Sequence, residues 1–581
     1  MHVARTPSKY VDKAGHTHRY ESVLVRRSYR DGGKVKHQTL ANLSRLPADV
    51  VELIDAALKG ARLVPASSAV TITRSAPHGH VAAVAAMAHT LGMPALLGPA
   101  CRERDLAYAL IISRVVHPGS KLSTKTWWAD TTLGEDLDVA AASTDEIYAA
   151  MDWLVGRQDT IEAKLAGKHL AAENNPSRLA LFDLSSSWME GTRCELAARG
   201  YSRDGKKGKP QIEYGVLTDP AGRPVAVRVF EGNTADPFAF VEITNVVRDT
   251  FALDTLVMVG DRGMITTARI EALRADADSD LGWITALRAP AIKKLAADDG
   301  PLQLSLFDTQ DLAEITHPDY PGERLIACRN PFVAAERARK RGELLTCTET
   351  LLDQITTRVQ AGTLSGADQI GVAVGKVINK YKMAKHFTYQ ITDTSLAIDR
   401  KHDQIAAEAA LDGIYVIRTS VPAGQLDPAG VVFGYKNLAH VERDFRWIKV
   451  DDLDLRPVYH HLNHRVRAHV LICLLACYLL WHLRKAWAPL TFTDEHQPDR
   501  DNPVTPAQRS AHAEQKASYQ HDSFGHPYRS FGGLLDHLAT LTRNHIRFNG
   551  TDTEVPMLTE PTADQRDAFN LINTPIPLTL K

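Results

Sequence analysis

Five residues in three segments carry the side chains best suited to metal-dependent chemistry. Asp183 ends the run Leu-Ala-Leu-Phe-Asp, and Asp261 ends the run Thr-Leu-Val-Met-Val-Gly-Asp. Apolar runs of this length predict buried strands. Tyr435, Glu442 and Lys449 follow at a spacing of seven residues. Seven residues fall only about 20° short of two helical turns, so these three side chains are expected to share one helix face.

The three acids predict a site for divalent cations. Carboxylate oxygens are the hard ligands that Mg²⁺ prefers, and paired Mg²⁺ ions suit phosphodiester chemistry. Each acid alone has a simpler interpretation: Asp183 and Asp261 as turn or cap residues, and Glu442 as an ordinary helix-surface residue. Their combination and order favour the catalytic interpretation. Asp204, Asp219, Asp236 and Asp254 are nearby carboxylates without that support, and Asp219 lies in a predicted turn.

Composition indicates an ordinary globular protein of several domains. The 581 residues are too many for one core, 44% are apolar and 24% are charged. The net charge of −1 gives no overall sign of nucleic-acid binding, yet residues 1–46 hold ten Lys or Arg against three Asp or Glu. Six scattered cysteines lack a CxxC pair, which favours a reduced cytosolic setting. The apolar stretch 467–484 predicts a buried helix rather than a membrane span.

The patterns along the chain predict a mixed α/β fold. Residues 18–42 form a hairpin signal around Asp31-Gly32-Gly33, and residues 78–175 are typical of helices. From Arg178 the predicted order is strand, hairpin, helix, strand, helix, strand. The expected segments are 1–70 (basic hairpin–helix module), 75–177 (helical domain), 178–288 (first part of the core), 289–411 (insertion domain), 412–490 (second part of the core, with Glu442 on one long helix to about Val450) and 491–581 (polar linker and tail).

Basic segments are candidates for DNA contact. The loop 201–210 carries Arg203, Lys206, Lys207 and Lys209 against Asp204 alone. Such a run is usually a solvated loop, but here it joins two predicted core strands close to Asp183.

Two other basic regions stay open between a DNA-binding and a structural interpretation. The N-terminal hairpin is either a solvated basic face or a DNA-contacting module. In the insertion, the stretch from Lys376 to Phe387 is either a platform for an extruded base or an ordinary core strand with exposed lysines. A zinc site at His460 and His464 is not favoured, because a third ligand at suitable spacing is lacking.

The region around Glu442 resembles a known family. Residues 435–449 read Tyr-Lys-Asn-Leu-Ala-His-Val-Glu-Arg-Asp-Phe-Arg-Trp-Ile-Lys. They resemble the Tyr-(2)-Arg-(3)-Glu-(6)-Lys signature of the DDE transposases of the IS4 group, with Leu438 in place of the Arg. That departure, together with Phe445-Arg446-Trp447 and the segment 456–462, looks like the IS1634 family, as do the segments 25–33, 200–211 and 231–236.

The resemblance implies an RNase H-like mixed-sheet catalytic core with an insertion domain. It implies catalysis and metal binding by Asp183, Asp261 and Glu442, with two Mg²⁺ ions for which Mn²⁺ can substitute. Lys449 and Tyr435 would contact DNA, and Arg446 or Arg443 would make the contact that Leu438 cannot.

The implied partners are double-stranded DNA, as transposon ends and as target. A homodimer or higher assembly on DNA is expected, without a membrane, in the bacterial cytoplasm at the nucleoid. The expected activity is metal-dependent cleavage at terminal inverted repeats followed by strand transfer. The alternatives are a catalytically silent DNA-binding protein derived from a transposase, or an RNase H-fold nuclease that cuts without joining.

Overall fold

The chain consists of two compact units. The computed structural model describes residues 1–580 except 62–68, 172, 254, 276–279, 298, 499–501, 523–524 and 550. One unit comprises Met1–Ser75 and Arg543–Thr559, and the other comprises Ala76–Thr542 and Glu560–Lys581. The end of the predicted N-terminal module, residues 62–68, and the carboxylate Asp254 lie outside the described residues.

The first unit begins with an antiparallel sheet that has one helix against it. Its elements are β1 (His2–Val11), β2 (Thr17–Asp31), β3 (Lys34–Asn42) and α1 (Ala48–Leu58). Gly32 and Gly33 have φ angles of 56° and 81° and form the two-residue turn between β2 and β3. Val23 and Val25 of β2 pack with Val51 of α1 in a small core. Most other side chains of this sheet are exposed, so the basic residues face solvent.

The second unit begins with helices. After β4 (Val70–Pro77), these are α2 (Gly79–Thr90), α3 (Met93–Leu97), α4 (Arg102–Val116), α5 (Lys121–Asp130), α6 (Thr132–Asp136), α7 (Thr144–Val155) and α8 (Gln158–His169). Helix α7 starts with a capping box in which Ser143 and Glu146 bond each other's backbone amides. Helix α2 is buried over most of its length because its Ala-rich sequence is apolar on all sides, and α4 is buried from Leu106 to Val115, beyond its charged first turn.

A large mixed sheet forms the middle of this unit. The elements from residue 179 to 419 are β5 (Leu179–Trp188), β6 (Gln211–Thr218), β7 (Pro224–Glu231), α9 (Asp236–Asn245), β8 (Val257–Val259), α10 (Thr267–Ala275), β9 (Gly282–Ala286), α11 (Ala289–Leu295), β10 (Leu312–Ile315), β11 (Arg324–Arg329), α12 (Pro331–Gln360), α13 (Ala367–Lys380), β12 (Phe387–Ile391), β13 (Leu396–Arg400), α14 (His402–Ala409) and β14 (Ile414–Thr419). Among the described strands, the order is β10-β11-β14-β9-β8-β5-β6-β7. Strands β5, β8 and β9 are parallel, and each remaining pair is antiparallel.

The predicted insertion 289–411 contributes to this sheet. Strands β10 and β11 lie within it, yet β11 pairs with β14 and extends the sheet at one edge. The part from α12 to α14 has its own apolar core, which includes Leu352, Ile370 and Phe387. Helix α12 is 30 residues long, well beyond the predicted helical section 333–349.

The predicted long helix from Pro428 to about Val450 is interrupted. It consists of α15 (Pro428–Lys436), α16 (Leu438–Arg446) and a π-helical turn at Trp447–Asp451, with Asn437 at the first junction.

Helix α17 (Asn463–Ala486) follows. It is long and apolar enough to cross a membrane by composition, but most of it is buried in the core, against α4, α7 and β7.

The predicted polar tail after residue 490 is folded where the structure describes it. Its elements are α18 (Ala511–Tyr519), α19 (Phe531–Ala539), β15 (Thr542–Phe548), β16 (Glu554–Leu558) and α20 (Ala563–Leu571). Strands β15 and β16 form a sheet with β4 in the first unit. In the second unit, Val504 is fully buried and Ala568 accepts a hydrogen bond from the Trp487 indole at 2.9 Å. A short helix is expected at 531–542 and is present as α19, whereas the expectation of a flexible linker over 491–527 is wrong for α18 and for the buried Val504, because scattered apolar side chains anchor this polar segment.

Candidate active site

Asp183 and Asp261 lie at the same level of two neighbouring parallel strands, Asp183 within β5 and Asp261 just beyond the end of β8. Leu181 of β5 lies opposite Val259 of β8, and each aspartate is two residues further along its strand direction. Asp183 is half-buried within β5, whose apolar neighbours pack on both faces of the sheet. Asp261 is exposed in a turn, where its carbonyl accepts hydrogen bonds from the amides of Met264 and Ile265 at 3.0 and 3.1 Å.

Glu442 comes from α16, which packs against β5. Leu438, Val441 and Phe445 are buried and hold the helix against the sheet, and Phe445 meets Tyr214 of β6 edge-to-face at 5.7 Å. This leaves Glu442 exposed beside the buried stripe. Leu438, the residue that departs from the family signature, is part of that apolar contact and only 9% exposed.

The three acids are close enough to affect one another electrostatically. Burial raises the pKa of Asp183 to about 7, the Leu184 amide and Arg203 oppose the rise, and the negative charges of Asp261 and Glu442 add to it. Carboxylates held together in this way repel each other, and a cation among them relieves the repulsion. All the donor atoms are carboxylate oxygens, so the cluster has the chemistry that suits Mg²⁺ or Mn²⁺.

Two further acids, Glu213 and Asp236, lie near the three carboxylates and were not predicted as site residues. Arg203 bonds Asp236 at 2.8 Å and lies 3.6 Å from Glu213, and its charge also acts on Asp183. A Cβ at Gly263 would lie 3.6 Å from Asp236 Oδ2 and 3.8 Å from Asp261 Oδ2, so both carboxylates flank that turn.

Glu213 is the more deeply buried of these two acids. It is only 3% exposed, and burial raises its pKa to about 7, against the opposing effect of Arg203. Glu213 lies on β6, and the sequence of this segment predicts only a buried strand, not a site residue. Asp236, noted in the sequence only as a nearby carboxylate without further support, is the first residue of α9, and its contact with Arg203 brings it beside Glu213.

Tyr435 lies beside the acids and is partly buried. Burial raises its pKa to about 12, and the negative charges of Asp261, Asp183 and Glu442 contribute to the rise. The phenol therefore keeps its proton at neutral pH and can donate a hydrogen bond into the cluster.

Lys449 points away from solvent rather than along an exposed helix face. It is only 8% exposed, and its Nζ lies 3.0 Å from Asp204 Oδ1, an oxygen that Arg456 also bonds. Burial lowers the pKa of Lys449, and Asp204 opposes that effect. Asp204 Oδ2 accepts a hydrogen bond from the Trp188 amide at 3.2 Å, so this acid ties the loop 201–210 to β5 and to the segment after α16.

The lysines of that loop are exposed. Lys206 and Lys209 lie over the Trp188 ring at 5.7 and 5.5 Å, and Lys209 also pairs with Glu190 at 3.0 Å. Lys207 is exposed beside them.

Of the two arginines near Glu442, only Arg446 is exposed. Arg443 stacks on Trp447 at 4.4 Å and pairs with Asp444 at 3.0 Å.

Two other groups of residues, in the insertion and around Glu495, are weaker candidates for a functional site. In the insertion, Phe387 is only 1% exposed and belongs to the local core, while Lys380 lies 5.1 Å from the Tyr381 ring. Glu495, His496 and His512 lie close enough together to share a metal ion. However, Lys516 Nζ is 3.1 Å from Glu495 Oε1, and this cation competes for the only carboxylate of the group.

Comparison with known proteins assigns the chain to a family. The family model for the IS1634 family transposase N-terminal domain matches residues 8–66. The model for the transposase DDE domain matches residues 176–480, more than half of the chain. The chain therefore belongs to the DDE transposases of the IS1634 family.

Solved and curated proteins add little to this assignment. A solved structure described as a piggyBac transposase synaptic complex with hairpin DNA shares 8% identity, covers 75% of this chain and 70% of that chain, and has a TM-score of 0.31. A comparison with curated proteins found no match.

Proposed function

We propose that the protein is an insertion-sequence transposase that binds terminal inverted repeats, cuts DNA at the element ends and joins the freed ends to target DNA. Asp183, Asp261 and Glu442 would be its catalytic, metal-binding residues. The observation that carries this proposal is their convergence from β5, the end of β8 and α16, with charges that act on one another.

The strand order supports an RNase H-like core. Strands β5, β6 and β7 form an antiparallel meander, and β8 and β9 add to the other side of β5 in parallel. The first acid lies on the first of these strands, the second follows the fourth, and the third lies on a helix after the sheet. This is the arrangement that the resemblance to DDE transposases implies.

The chemistry needs two divalent cations, and the three carboxylates would hold them. When bound, such ions activate an attacking water or 3′-hydroxyl and stabilise the leaving oxygen of the phosphodiester. The protein would supply negative charge where the cations bind, and the Tyr435 hydroxyl would orient a phosphate oxygen by hydrogen bonding. Mg²⁺ is the proposed ion, with Mn²⁺ as a substitute.

Exposed cations around this cluster would hold the DNA backbone. Arg446, Lys206 and Lys207 are open to solvent and can reach phosphates directly. Lys209 and Arg203 already pair with acids, and Lys449 pairs with Asp204. To contact DNA, these three residues would have to give up their present ion pairs. Their proposed role is therefore to hold the loop in place as well as to bind DNA phosphates.

Double-stranded DNA is the proposed partner, both as element ends and as target. Two ends must be processed together, so we expect the protein to act as a dimer or a larger assembly on DNA. Such a protein works in the compartment that holds the chromosome, which in a bacterium is the cytoplasm.

A cleavage and strand-transfer assay tests the proposal. The substrate is DNA that carries the sequences flanking the gene, incubated with Mg²⁺ and wild-type protein, Glu442→Gln or Asp451→Asn. Asp451 is an exposed acid nine residues beyond Glu442, so it is a matched control for loss of one charge. We expect cut and joined products from the wild type and from Asp451→Asn, and neither product from Glu442→Gln, which should still bind the ends.

Other outcomes separate the alternatives. Cleavage without joined products would support an RNase H-fold nuclease. Binding without cleavage by any of the three proteins, in Mg²⁺ and in Mn²⁺, would support a catalytically silent DNA-binding protein.

A further inference from the structure

A positively charged cavity lies apart from the three acids, in the second unit. It has a volume of about 420 Å³, and its walls come from the end of α4, the start of α5, the segment 454–462 and the start of α17. Leu122 and Tyr459 at its rim are 66% and 67% exposed, so the cavity is open to solvent.

Two buried cations line this cavity without a carboxylate partner among the described residues. Lys121 is 6% exposed, and its Nζ contacts the neutral His469 ring at Nδ1, at 3.4 Å. Arg114 is 5% exposed and donates hydrogen bonds to the carbonyls of Leu453 and Gly119 at 3.3 and 2.9 Å. An unpaired buried charge destabilises the folded protein, so an anion bound beside these two side chains would stabilise it.

The lowered pKa of Lys121 shows that its positive charge is unfavourable in the cavity. Burial lowers its pKa to about 7, and the positive charge of Arg114 adds to the effect. Burial also keeps His469 neutral by lowering its pKa. An anion in the cavity would favour the charged form of Lys121 and remove the conflict with Arg114.

The other charged groups of the cavity are already balanced or face solvent. Arg456 pairs with Asp204, and Arg465 pairs with Asp152 at 3.4 Å. Asp454 lines the cavity but is exposed. The uncompensated positive charge therefore lies at Arg114 and Lys121, next to the start of α5, whose free amide groups also favour an anion.

We propose that this cavity binds a phosphate group of the DNA backbone, as a contact distinct from the catalytic acids. The link to DNA is Arg456, which lines the cavity and holds Asp204 of the loop that carries Lys206 and Lys207. A DNA strand held by that loop would thus pass close to the cavity. The volume exceeds that of a single water, about 30 Å³, many times over and leaves space for the sugar that carries the phosphate.

A matched pair of variants tests the site in the full-length protein. Lys121→Met removes the buried charge at similar length. Lys125→Met makes the same change one helical turn further along α5, at a residue that does not line the cavity. Because the lysine is uncompensated, Lys121→Met should melt at the same temperature as the wild type or higher when phosphate is absent.

Thermal unfolding in increasing inorganic phosphate, at constant ionic strength, is the first measurement. We expect phosphate to raise the melting temperature of the wild type and of Lys125→Met, but not that of Lys121→Met. An equal rise in Lys121→Met, or no rise in the wild type, would overturn the site. If Lys121→Met does not fold, Arg114→Gln, which removes the other uncompensated charge of the cavity, takes its place with the same interpretation.

Binding to a DNA duplex separates a backbone phosphate from a free one. We expect Lys121→Met to weaken binding by about tenfold and to reduce the slope of log K against log salt by about 0.9, with Lys125→Met unchanged. Unchanged DNA binding in a variant that no longer responds to inorganic phosphate would overturn the DNA source. This arm rests on the proposed function, whereas the phosphate titration does not, so the two can fail separately.

Discussion

Asp204 is predicted to hold the lysine loop and the segment after Glu442 together, and its replacement by asparagine should release both. The carboxylate is 1% exposed and bonds Lys449 and Arg456 through one oxygen and the Trp188 amide through the other. An asparagine side chain at this position would keep an acceptor for the Trp188 amide but lose the negative charge.

The magnitude follows from how deeply each partner is buried. The Arg456 side chain is 25% exposed and can regain water, whereas the Lys449 side chain is 10% exposed and would remain a buried cation. Breaking a buried pair by removing one partner costs about 3–5 kcal/mol. We expect Asp204→Asn to lower the local free energy of unfolding by this amount. Adding Lys449→Met should recover about 0.5–3 kcal/mol through the coupling of the two sites.

Hydrogen exchange is the assay, because it reports local opening in a protein with several cores. Peptides that span the end of β5 and residues 447–456 should exchange roughly a hundredfold faster or more in Asp204→Asn, since about 1.4 kcal/mol corresponds to a factor of ten. Asp451→Asn, at an exposed acid, should exchange as the wild type does. Wild-type exchange in Asp204→Asn, or no recovery with Lys449→Met, would refute the reasoning.

Three further predictions concern acid stability, the sheet and DNA binding. His80 is buried, and burial lowers its pKa to about 3, so the folded state cannot take up the proton that the unfolded state binds below pH 6.5. Stability present above pH 6.5 is therefore lost as the pH falls, by about 2 kcal/mol at pH 5, and His80→Phe should narrow the difference in melting temperature between pH 7 and pH 5; an unchanged difference would contradict this. Gly215→Ala would place a Cβ 2.4 Å from the Phe182 ring next to Asp183, so it should destabilise the fold by about 1–3 kcal/mol, and unchanged thermal unfolding would count against that packing. Arg446→Gln should weaken DNA binding and reduce its salt dependence more than Arg443→Gln does, because Arg443 already pairs with Asp444; equal effects in a filter-binding titration would argue against it.

The two strands could be predicted from the apolar runs, but the strand end was correct only for Asp261, because β5 continues for five residues beyond Asp183 through Ser185–Ser187, which have no apolar signal. The spacing of Tyr435, Glu442 and Lys449 did not predict a shared face correctly for Lys449. The helix is interrupted at Asn437, and the π-helical turn from Trp447 changes the angle per residue, so Lys449 turns inward to Asp204.

Long-range pairing explains most of what the sequence could not predict. Strands β10 and β11 lie far along the chain from β5, and only pairing with β14 places them in the large sheet. Asp236 and Glu213 reach the acids through Arg203, which has no signature in spacing. Val504 lies in a polar stretch that suggests a linker, yet its carbonyl accepts hydrogen bonds from Asn330 and Lys436 at 2.8 and 2.6 Å.

The central claim is that Asp183, Asp261 and Glu442 form one divalent-cation site, and Mn²⁺ binding tests it most directly. Calorimetric titration with Mn²⁺ would compare the wild type with Asp183→Asn, Asp261→Asn, Glu442→Gln and the control Asp451→Asn. We predict that each of the first three variants loses most of the Mn²⁺ affinity and that the control keeps it. Wild-type affinity in any one of the three would contradict the shared site and remove that residue from it.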